Sequence, residues 1–306
     1  MSNDLRALIS SDERVRKIVL ESSLGHTEAA EAVNSLGYST TEASVRRSRK
    51  SQTKTVVVIG DYQIGCHDKA FIEKQCEVIR DIKPDIIIST GDELDATSLG
   101  RWTRGMPEEF ETTLQDELDQ WYEVAEMINE AAPQAEKRMC RSNHTDRLAV
   151  SLRSRLPGLR DLRALELPNL MRLSDFGWIY DNPPGSATEF LPGVTYSHGD
   201  EWSITSKGQA NKAGEMIKER GTHVVFGHSH QAGIYTQALG YNFNMRVKWA
   251  LNVGTGMAFD RADYIKKGSP NWSRGVGIIY YDGTDAFPDL RLEINGKIRY
   301  DGRTYK

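Results

Sequence analysis

The 306-residue sequence lacks any apolar run near the roughly 20 residues that a membrane-spanning helix requires. Its N-terminus, MSNDLRALISSDERVRK, is polar and charged, and it lacks the apolar segment of a secretory signal. Because both features are absent, we expect a cytoplasmic protein without a membrane partner. At 39% hydrophobic residues, the chain is still long enough to bury a full core.

Cysteine is scarce, and the chain has no strong excess of one charge. Its three cysteines, Cys66, Cys76 and Cys140, are odd in number and widely spaced, which fits neither a disulfide framework nor a structural zinc site. We expect them to be reduced and structural. The formal net charge of -4 argues against a uniformly basic surface for nucleic acid, although it leaves room for a local basic patch.

Residues 1–50 are predicted to form a small helical module. Between residues 13 and 50, apolar residues recur at helical spacing in three stretches, with Thr27 placed to cap the second helix and Gly37 to end it. The third helix runs into the basic residues Arg46, Arg47, Arg49 and Lys50. The pattern resembles a helix-turn-helix module, which implies contact with nucleic acid through residues 27–50. The alternative is a helical appendage for oligomer contacts, followed by a solvated basic linker.

Residues 51–306 are predicted to form an α/β domain. Residues 56–59 are a β-branched run typical of a buried strand, and a helix over 69–81 and a strand over 86–88 follow. A helix is then expected over 108–132, with Trp121 in the core, and a strand over 138–140. A third helix is predicted over 210–220, among short strands at 195–197, 224–226, 249–253, 277–281 and 290–294.

Five polar clusters stand at or just past the ends of these strands, where α/β sheets build their sites. They are Gly60-Asp61-Tyr62-Gln63, Gly91-Asp92-Glu93-Leu94-Asp95, Ser142-Asn143-His144, Ser197-His198-Gly199-Asp200 and Gly227-His228-Ser229-His230. One cluster alone is weak evidence, since an aspartate after a strand often caps a turn and a histidine is often core. Together, however, they supply the oxygen and imidazole donors that suit Mn, Fe or Zn.

In this order the clusters resemble the blocks of the calcineurin-like metallophosphoesterases, over residues 54–306. The resemblance implies a four-layer αββα sandwich, to which the N-terminal helical module is added. It also implies two divalent cations that share Asp92. The first would be bound by Asp61, Gln63, Asp92 and His230, and the second by Asp92, Asn143, His198 and His228. Mn²⁺ is favoured, with Fe, Zn or Ni as alternatives.

Such a pair of cations, about 3.5–4 Å apart, lowers the pKa of a bridging water, which then attacks phosphorus as hydroxide. His144 follows a ligand and cannot easily reach the same metal, so it is assigned to the leaving oxygen. Asp95, the second aspartate of its block, would orient His144 as an imidazolium. The alternative for His144 is a spectator beside the metal, and the alternative for Asp95 is a residue that caps a loop. Asp200 is expected either to support an imidazole or to form a turn.

The chain departs from the family pattern at Gln63, which replaces the usual histidine. A neutral amide oxygen would take that position, so we expect the first metal site to be occupied more weakly than the second and to prefer a harder ion such as Mn²⁺. Ser142 replaces a glycine, and the acidic residue expected after His144 is displaced to Asp146. These two changes leave the ligands intact.

The function expected is metal-dependent hydrolysis of phosphodiesters, with nucleic acid as the substrate and both residues 27–50 and the active-site groove as contact surfaces. Glutamine at the position of Gln63 occurs in part of the family, including enzymes that resemble hydrolases of small nucleotide-linked diesters or pyrophosphates. Hydrolysis of such small substrates is therefore the alternative function. Trp202, Trp249 and Trp272 either stack a base or belong to the core. A third interpretation is a DNA-binding or scaffold protein with a vestigial metal site.

Overall fold

The computed structural model describes residues 5–22, 24–50, 53–100, 104–105, 107–181, 187–204, 208–241, 244–261 and 271–306. The chain forms two compact units. One contains residues 1–55 and 279–287, and the other contains residues 56–278 and 288–306.

The first unit is helical over its N-terminal part, because apolar residues repeat at helical spacing and meet in one small core. Its helices are α1 (Leu5–Ser11), α2 (Glu13–Arg16), which continues as a π-helical turn (Lys17–Glu21), α3 (His26–Ser35) and α4 (Glu42–Lys50). The buried core residues are Leu5, Val15, Val19, Ala29, Ala30, Val33 and Val45. The three predicted helices are present, and α1 is an additional one.

The predicted start of α3 is wrong by two residues. Gly25, not Thr27, is the N-cap, and its N–H donates to Glu28 Oε2 at 2.9 Å. Thr27 lies inside the helix, where its hydroxyl contacts Glu42 of α4 instead. Gly37 follows α3 with a φ of 89°, a left-handed conformation that glycine adopts without strain, so the tight turn before α4 lies where it was predicted. The side chains of residues 47, 49 and 50, which carry most of the predicted basic end, lie outside the described residues.

The remaining helices surround two larger sheets. The helices are α5 (Lys69–Ile82), α6 (Glu108–Glu111), α7 (Leu114–Ala131), α8 (Arg147–Arg155), α9 (Leu167–Leu170) and α10 (Gln209–Arg220). The strands are β1 (Lys54–Ile59), β2 (Ile86–Ser89), β3 (Glu136–Cys140), β4 (Trp178–Asp181), β5 (Thr188–Leu191), β6 (Val194–Tyr196), β7 (His223–Val225), β8 (Gly233–Tyr241), β9 (Asn244–Asn252), β10 (Gly275–Tyr281), β11 (Ala286–Leu292), β12 (Ile298–Tyr300) and β13 (Arg303–Tyr305). The sheet orders are β11-β10-β1-β2-β3-β4, β5-β6-β7-β9-β8 and β12-β13.

Alternating strand residues build four layers. Val57 of β1 faces the core shared with α5 and α7, whereas Val58 faces the other sheet. A Cβ added to Gly277 of β10 would lie 3.0 Å from Val58 of β1 and 3.0 Å from Leu251 of β9, so the two larger sheets pack directly on each other. On the far side, α10 packs on β7 through residues that include Met216 and Val224. The layers run helix, sheet, sheet, helix, which confirms the predicted α/β sandwich.

Parallel pairing brings the polar loops to one edge of each sheet. Strands β1, β2, β3 and β4 are parallel neighbours, and β6, β7 and β9 also run parallel to one another. The carboxyl ends of parallel strands lie at the same edge. The loops that begin at Gly60, Thr90 and Arg141 therefore lie side by side, and so do those that begin at Ser197 and Phe226.

The helix predicted over 108–132 is in fact two helices. Thr113 caps α7 and Asp116 accepts from the Thr113 N–H at 2.8 Å, a capping box that starts a new helix at Leu114. Trp121 is buried as predicted, and its indole N–H donates to the Met171 carbonyl at 2.9 Å.

Two further expectations can be compared with the described part of the chain. All three cysteines are free thiols, as predicted. In the segments that the structure describes, none of the helices combines the length and the apolar character that crossing a bilayer requires.

We expect Trp121→Phe to destabilise the protein by about 2 kcal/mol, because the smaller ring leaves a cavity and the Met171 carbonyl loses its buried donor. In a thermal unfolding scan this corresponds to a decrease in Tm of about 4–8 °C. Phe110→Leu is the control, since Phe110 is 78% exposed and its side chain should contribute little. Equal Tm values for the two variants would contradict the buried position of Trp121.

Candidate metal centre

The loops at the strand ends hold five of the predicted ligands in a backbone conformation that non-glycine residues rarely adopt. The φ angles are 51° for Asp61, 54° for Gln63, 56° for Asp92, 70° for His228 and 59° for His230. Each left-handed residue costs about 1 kcal/mol or more, and such strain is concentrated at functional sites. The surrounding core must therefore hold these loops in place against their own preference.

Glycines at the strand ends allow the loops to approach one another. A Cβ on Gly227 would lie 2.2 Å from Asp61 Oδ2, and a Cβ on Gly91, which has a φ of 93°, would lie 2.8 Å from the Ser142 side chain. No other residue type fits these positions without displacing a loop. The Gly-Asp and Gly-His pairs of the sequence are thus steric requirements of the site.

Asp61, Asp92 and His230 form one group of candidate ligands. All three are buried, and His230 Nε2 lies 3.5 Å from Asp61 Oδ1. The Gln63 amide lies among them, with Nε2 3.1 Å from Asp92 Oδ2 and 3.4 Å from His230 Nε2. The four residues predicted for the first metal are therefore together.

Asp92, His198 and His228 form a second group. His198 Nε2 lies 3.2 Å from Asp92 Oδ2, and His228 Nδ1 lies 3.2 Å from His198 Nε2. Asn143 Oδ1 is 3.0 Å from each of those two imidazole nitrogens. This group contains the four residues predicted for the second metal, and Asp92 is common to both groups.

Backbone contacts fix the direction of these side chains. His198 Nδ1 donates to the Thr90 carbonyl at 2.8 Å, which leaves Nε2 as the ring nitrogen that faces Asp92 and the other candidate ligands. The His228 N–H donates to Asp61 Oδ1 at 2.9 Å, which ties the two loops together. Asn252 donates to the Gly227 carbonyl at 2.9 Å and so supports the loop that carries both histidines.

The donor set fits divalent cations. Gln63 Oε1 and His230 Nδ1 are buried and have no hydrogen-bond partner in the described part of the chain, which is unusual for polar atoms unless a ligand satisfies them. Burial lowers the pKa of His230 to about 3 and also lowers the pKa of His228, so both imidazoles are neutral and can donate lone pairs. Burial alone would lower the pKa of His198 too, but the Asp92 and Asp61 charges raise it to about 10. A cation bound to these carboxylates would cancel their charge and so lower the pKa of His198 again.

His144 lies beside the two groups, with Nε2 3.8 Å from Asp92 Oδ2. Its Nδ1 is 2.9 Å from the Asp95 carbonyl and 3.3 Å from Asp95 Oδ1. Asp95 thus contacts His144 as expected. The other ring nitrogen of His144, Nε2, lies 2.9 Å from Nη2 of Arg147, a guanidinium contact that was not predicted.

All the predicted site residues come together at the strand ends, but some neighbours differ from expectation. Of the two expectations for Asp200, the turn is observed, because Asp200 begins a 3₁₀ turn over Asp200–Trp202. Its carboxylate pairs with Arg141 at 3.0 Å, and Asp146 binds the same guanidinium at 2.7 Å. That ion triplet fastens the loop before Asn143.

The three tryptophans considered as base platforms have separate environments. Trp249 is buried and stacks on His223, with ring centroids 4.6 Å apart. Trp202 is half-buried under the Arg220 guanidinium. Trp272 is half-buried and packs against the candidate ligand His230 at 4.6 Å. Trp249 is thus core, and Trp272 contacts a predicted ligand.

Sequence reasoning missed two charged residues that support His144. Arg147 stands one helical turn after His144, a spacing that could have indicated contact. Glu117 of α7 is buried and accepts from the Ala96 and Thr97 N–H groups at 2.6 and 3.1 Å, which holds the Asp95 loop. Burial raises the pKa of Glu117 to about 8. Its position among the acidic residues of α7 gave no local signal for this role.

Comparisons with known proteins show distant relatives. No family model matches the chain. The chain is 28% identical over 260 residues to the Gene 54 proteins of Mycobacterium phages L5 and D29, and each alignment covers 83% of this chain and 99% of the relative.

Similar solved structures include two Vps29 proteins. One, from Entamoeba histolytica and complexed with zinc, has 12% identity and a TM-score of 0.41 over 80% of this chain and 96% of that chain. The other, from Chaetomium thermophilum, has 10% identity and a TM-score of 0.42 over 82% of this chain and 97% of that chain. These similarities are too distant to assign a role to any residue here.

We expect a calorimetric titration with Mn²⁺ to show two binding steps, of which the weaker belongs to the Gln63 group. Gln63→His should tighten the weaker step by about tenfold, or 1.4 kcal/mol, because imidazole is a stronger donor than an amide oxygen. Asp92→Asn should weaken both steps, since both groups share that carboxylate.

Gln115→His is the matched control, because Gln115 is exposed on α7 and lies outside both ligand groups. Two steps of equal affinity in the unmodified protein would contradict the assignment of Gln63 as the weaker ligand.

Proposed function

We propose that the protein is a metal-dependent phosphoesterase that hydrolyses phosphodiesters. The observation that carries this proposal is the pair of ligand groups that share Asp92, with His144 at their edge. A shared carboxylate between two cation positions suits the clamping of a phosphoryl group during in-line displacement. A structural metal site has no need of an ionisable side chain placed beside it.

Two divalent cations held here would polarise the phosphoryl group and supply a water acidic enough to attack near neutral pH. The chain itself contributes positioning and a proton. Asp95 contacts His144 Nδ1 through both its carbonyl and its carboxylate, so the ring presents Nε2 toward Asp92. From Nε2 a proton can pass to the oxygen that leaves phosphorus.

His144→Asn should lower kcat for bis-p-nitrophenyl phosphate by about 100- to 10,000-fold, because the leaving oxygen loses its proton donor. The assay uses the full chain with Mn²⁺, and release of p-nitrophenol is followed by absorbance. Elemental analysis should find the same Mn²⁺ content in both proteins, since His144 belongs to neither ligand group.

His26→Asn is the control for this variant, because His26 lies on α3 outside the site. If His144→Asn loses its metal together with its activity, the residue acts as a ligand and its proposed role is wrong. If the unmodified protein binds no metal and hydrolyses no phosphoester, the scaffold interpretation replaces the enzyme.

Nucleic acid is the substrate that we propose for this activity. Its support is the turn at Gly37 between α3 and α4 and the exposed Arg46 on the second of these helices, the order of elements in a helix-turn-helix module. A polynucleotide also offers a phosphodiester at every nucleotide. Small nucleotide-linked diesters are the other outcome that the same site allows.

Arg46→Glu should weaken DNA binding and reduce the slope of log K against log salt concentration by about 1, as the loss of one phosphate contact does. Fluorescence anisotropy with labelled duplex and single-stranded DNA at several salt concentrations measures both values. Arg160→Glu changes an exposed arginine outside the helical module and is the matched control. An equal effect of the two variants, or no cleavage of either DNA alongside turnover of a small diester, would contradict the nucleic-acid substrate.

A further inference from the structure

Arg147 is held at the edge of the candidate site by contacts with two other residues. It is the first residue of α8, and its side chain is 22% exposed. Nη1 donates to the Asp95 carbonyl at 2.5 Å, and Nη2 lies 2.9 Å from His144 Nε2. The guanidinium thus contacts both residues assigned to the leaving-group side.

The contact with His144 restricts what that ring can do. A guanidinium is a donor only, so His144 Nε2 must accept the hydrogen bond with its lone pair. While Arg147 occupies this nitrogen, Nε2 cannot present a proton to a leaving oxygen. For His144 to act as a donor, the guanidinium must move to another acceptor close by.

The charge of Arg147 is poorly neutralised compared with that of its neighbour Arg141. Arg141 binds two carboxylates, Asp146 at 2.7 Å and Asp200 at 3.0 Å. Among the residues that the structure describes, the carboxylate oxygen nearest to Arg147 is Asp95 Oδ2, at 3.9 Å, which is beyond hydrogen-bonding distance. Arg141 is therefore a structural clamp, whereas Arg147 keeps donors that an incoming anion can bind, up to two at once.

We propose that Arg147 recognises a phosphate carried by the leaving group, so that the enzyme prefers substrates whose leaving group is itself anionic. This inference rests on the proposed function. His144 stands at the leaving oxygen, and Arg147, which touches it, lies on the same side of the scissile bond. In a polynucleotide, the leaving oxygen belongs to a nucleotide that bears the next phosphate.

The step balances as an ordinary hydrolysis. Water forms the new bond to phosphorus, the bond from phosphorus to the leaving oxygen breaks, and that oxygen takes a proton from His144 Nε2. The proton of the attacking water passes to solvent, from which His144 is protonated again. When a substrate of this class is bound, Arg147 moves from His144 to the leaving group's phosphate, and the freed Nε2 takes from solvent the proton that it then gives to the leaving oxygen.

The test compares three thymidine dinucleotides, each with one internal phosphodiester. One has no terminal phosphate, one has a 5′-terminal phosphate and one has a 3′-terminal phosphate. Chromatography measures cleavage of the internal bond by the full chain with Mn²⁺. For the isomer whose added phosphate lies on the leaving nucleoside, kcat/KM should exceed that of the plain dinucleotide by about 10- to 100-fold, as one charge-assisted hydrogen bond contributes.

Arg147→Gln should reduce this preference to about twofold or less, and Arg147→Lys should restore part of it, because lysine keeps the charge but not the fork. The ratio between two substrates cancels any general damage to folding or to His144. Arg153→Gln is the matched control, since Arg153 is exposed on the same helix, and it should keep the full preference.

A preference near one in the unmodified protein, or one that Arg147→Gln leaves unchanged, overturns the role of Arg147 while the phosphodiesterase stands. Turnover of bis-p-nitrophenyl phosphate without cleavage of any dinucleotide overturns it as well. If neither the dinucleotides nor bis-p-nitrophenyl phosphate is hydrolysed, the proposed function fails and this inference fails with it.

Discussion

The candidate site depends on two carboxylates, Asp61 and Asp92, that are buried together. Burial, and then the charge of Asp92, holds the pKa of Asp61 well above its ordinary range. Two such groups next to each other are unfavourable unless hydrogen bonds and positive charge compensate them. The hydrogen bonds come from the His228 and His144 N–H groups at 2.9 and 3.2 Å. A shared divalent cation would supply the charge, so the position of each donor loop follows from this one constraint.

Rigid layers make that arrangement possible. Five predicted ligands adopt left-handed backbone conformations, which isolated loops would abandon. They persist because parallel strands end at the same edge and because buried groups, such as Asn252 and Thr90, bind the loops to the strands beneath them. The four-layer packing therefore does more than bury apolar surface. It also holds the strained loops in the conformations that orient the candidate ligands.

Much of this could be predicted from the sequence, because the signals are local. The β-branched run at 56–59 and the polar residues after it indicate a buried strand with a site at its end. The other polar clusters also follow predicted strands in this way. Contacts between distant residues gave no such signal. Glu117 lies on a helix whose spacing indicates only a buried face, and its bonds to the Asp95 loop depend on tertiary packing. The pairing of Asp200 with Arg141, across 59 residues, was missed for the same reason.

The two arginines that follow β3, Arg141 and Arg147, have different kinds of partner. Arg141 pairs with both Asp146 and Asp200, so its charge is neutralised and the ion pairs hold the loop before Asn143 in place. Arg147 is held by a backbone carbonyl and a histidine nitrogen, neither of which carries a negative charge. A cation whose hydrogen bonds go to neutral acceptors, and whose nearest carboxylate oxygen is 3.9 Å away, has more to gain from an incoming anion than one already hydrogen-bonded to two carboxylates. Asp146, which stands one position later than the acidic residue expected after His144, thus neutralises Arg141. Arg147 is left available to an anionic substrate.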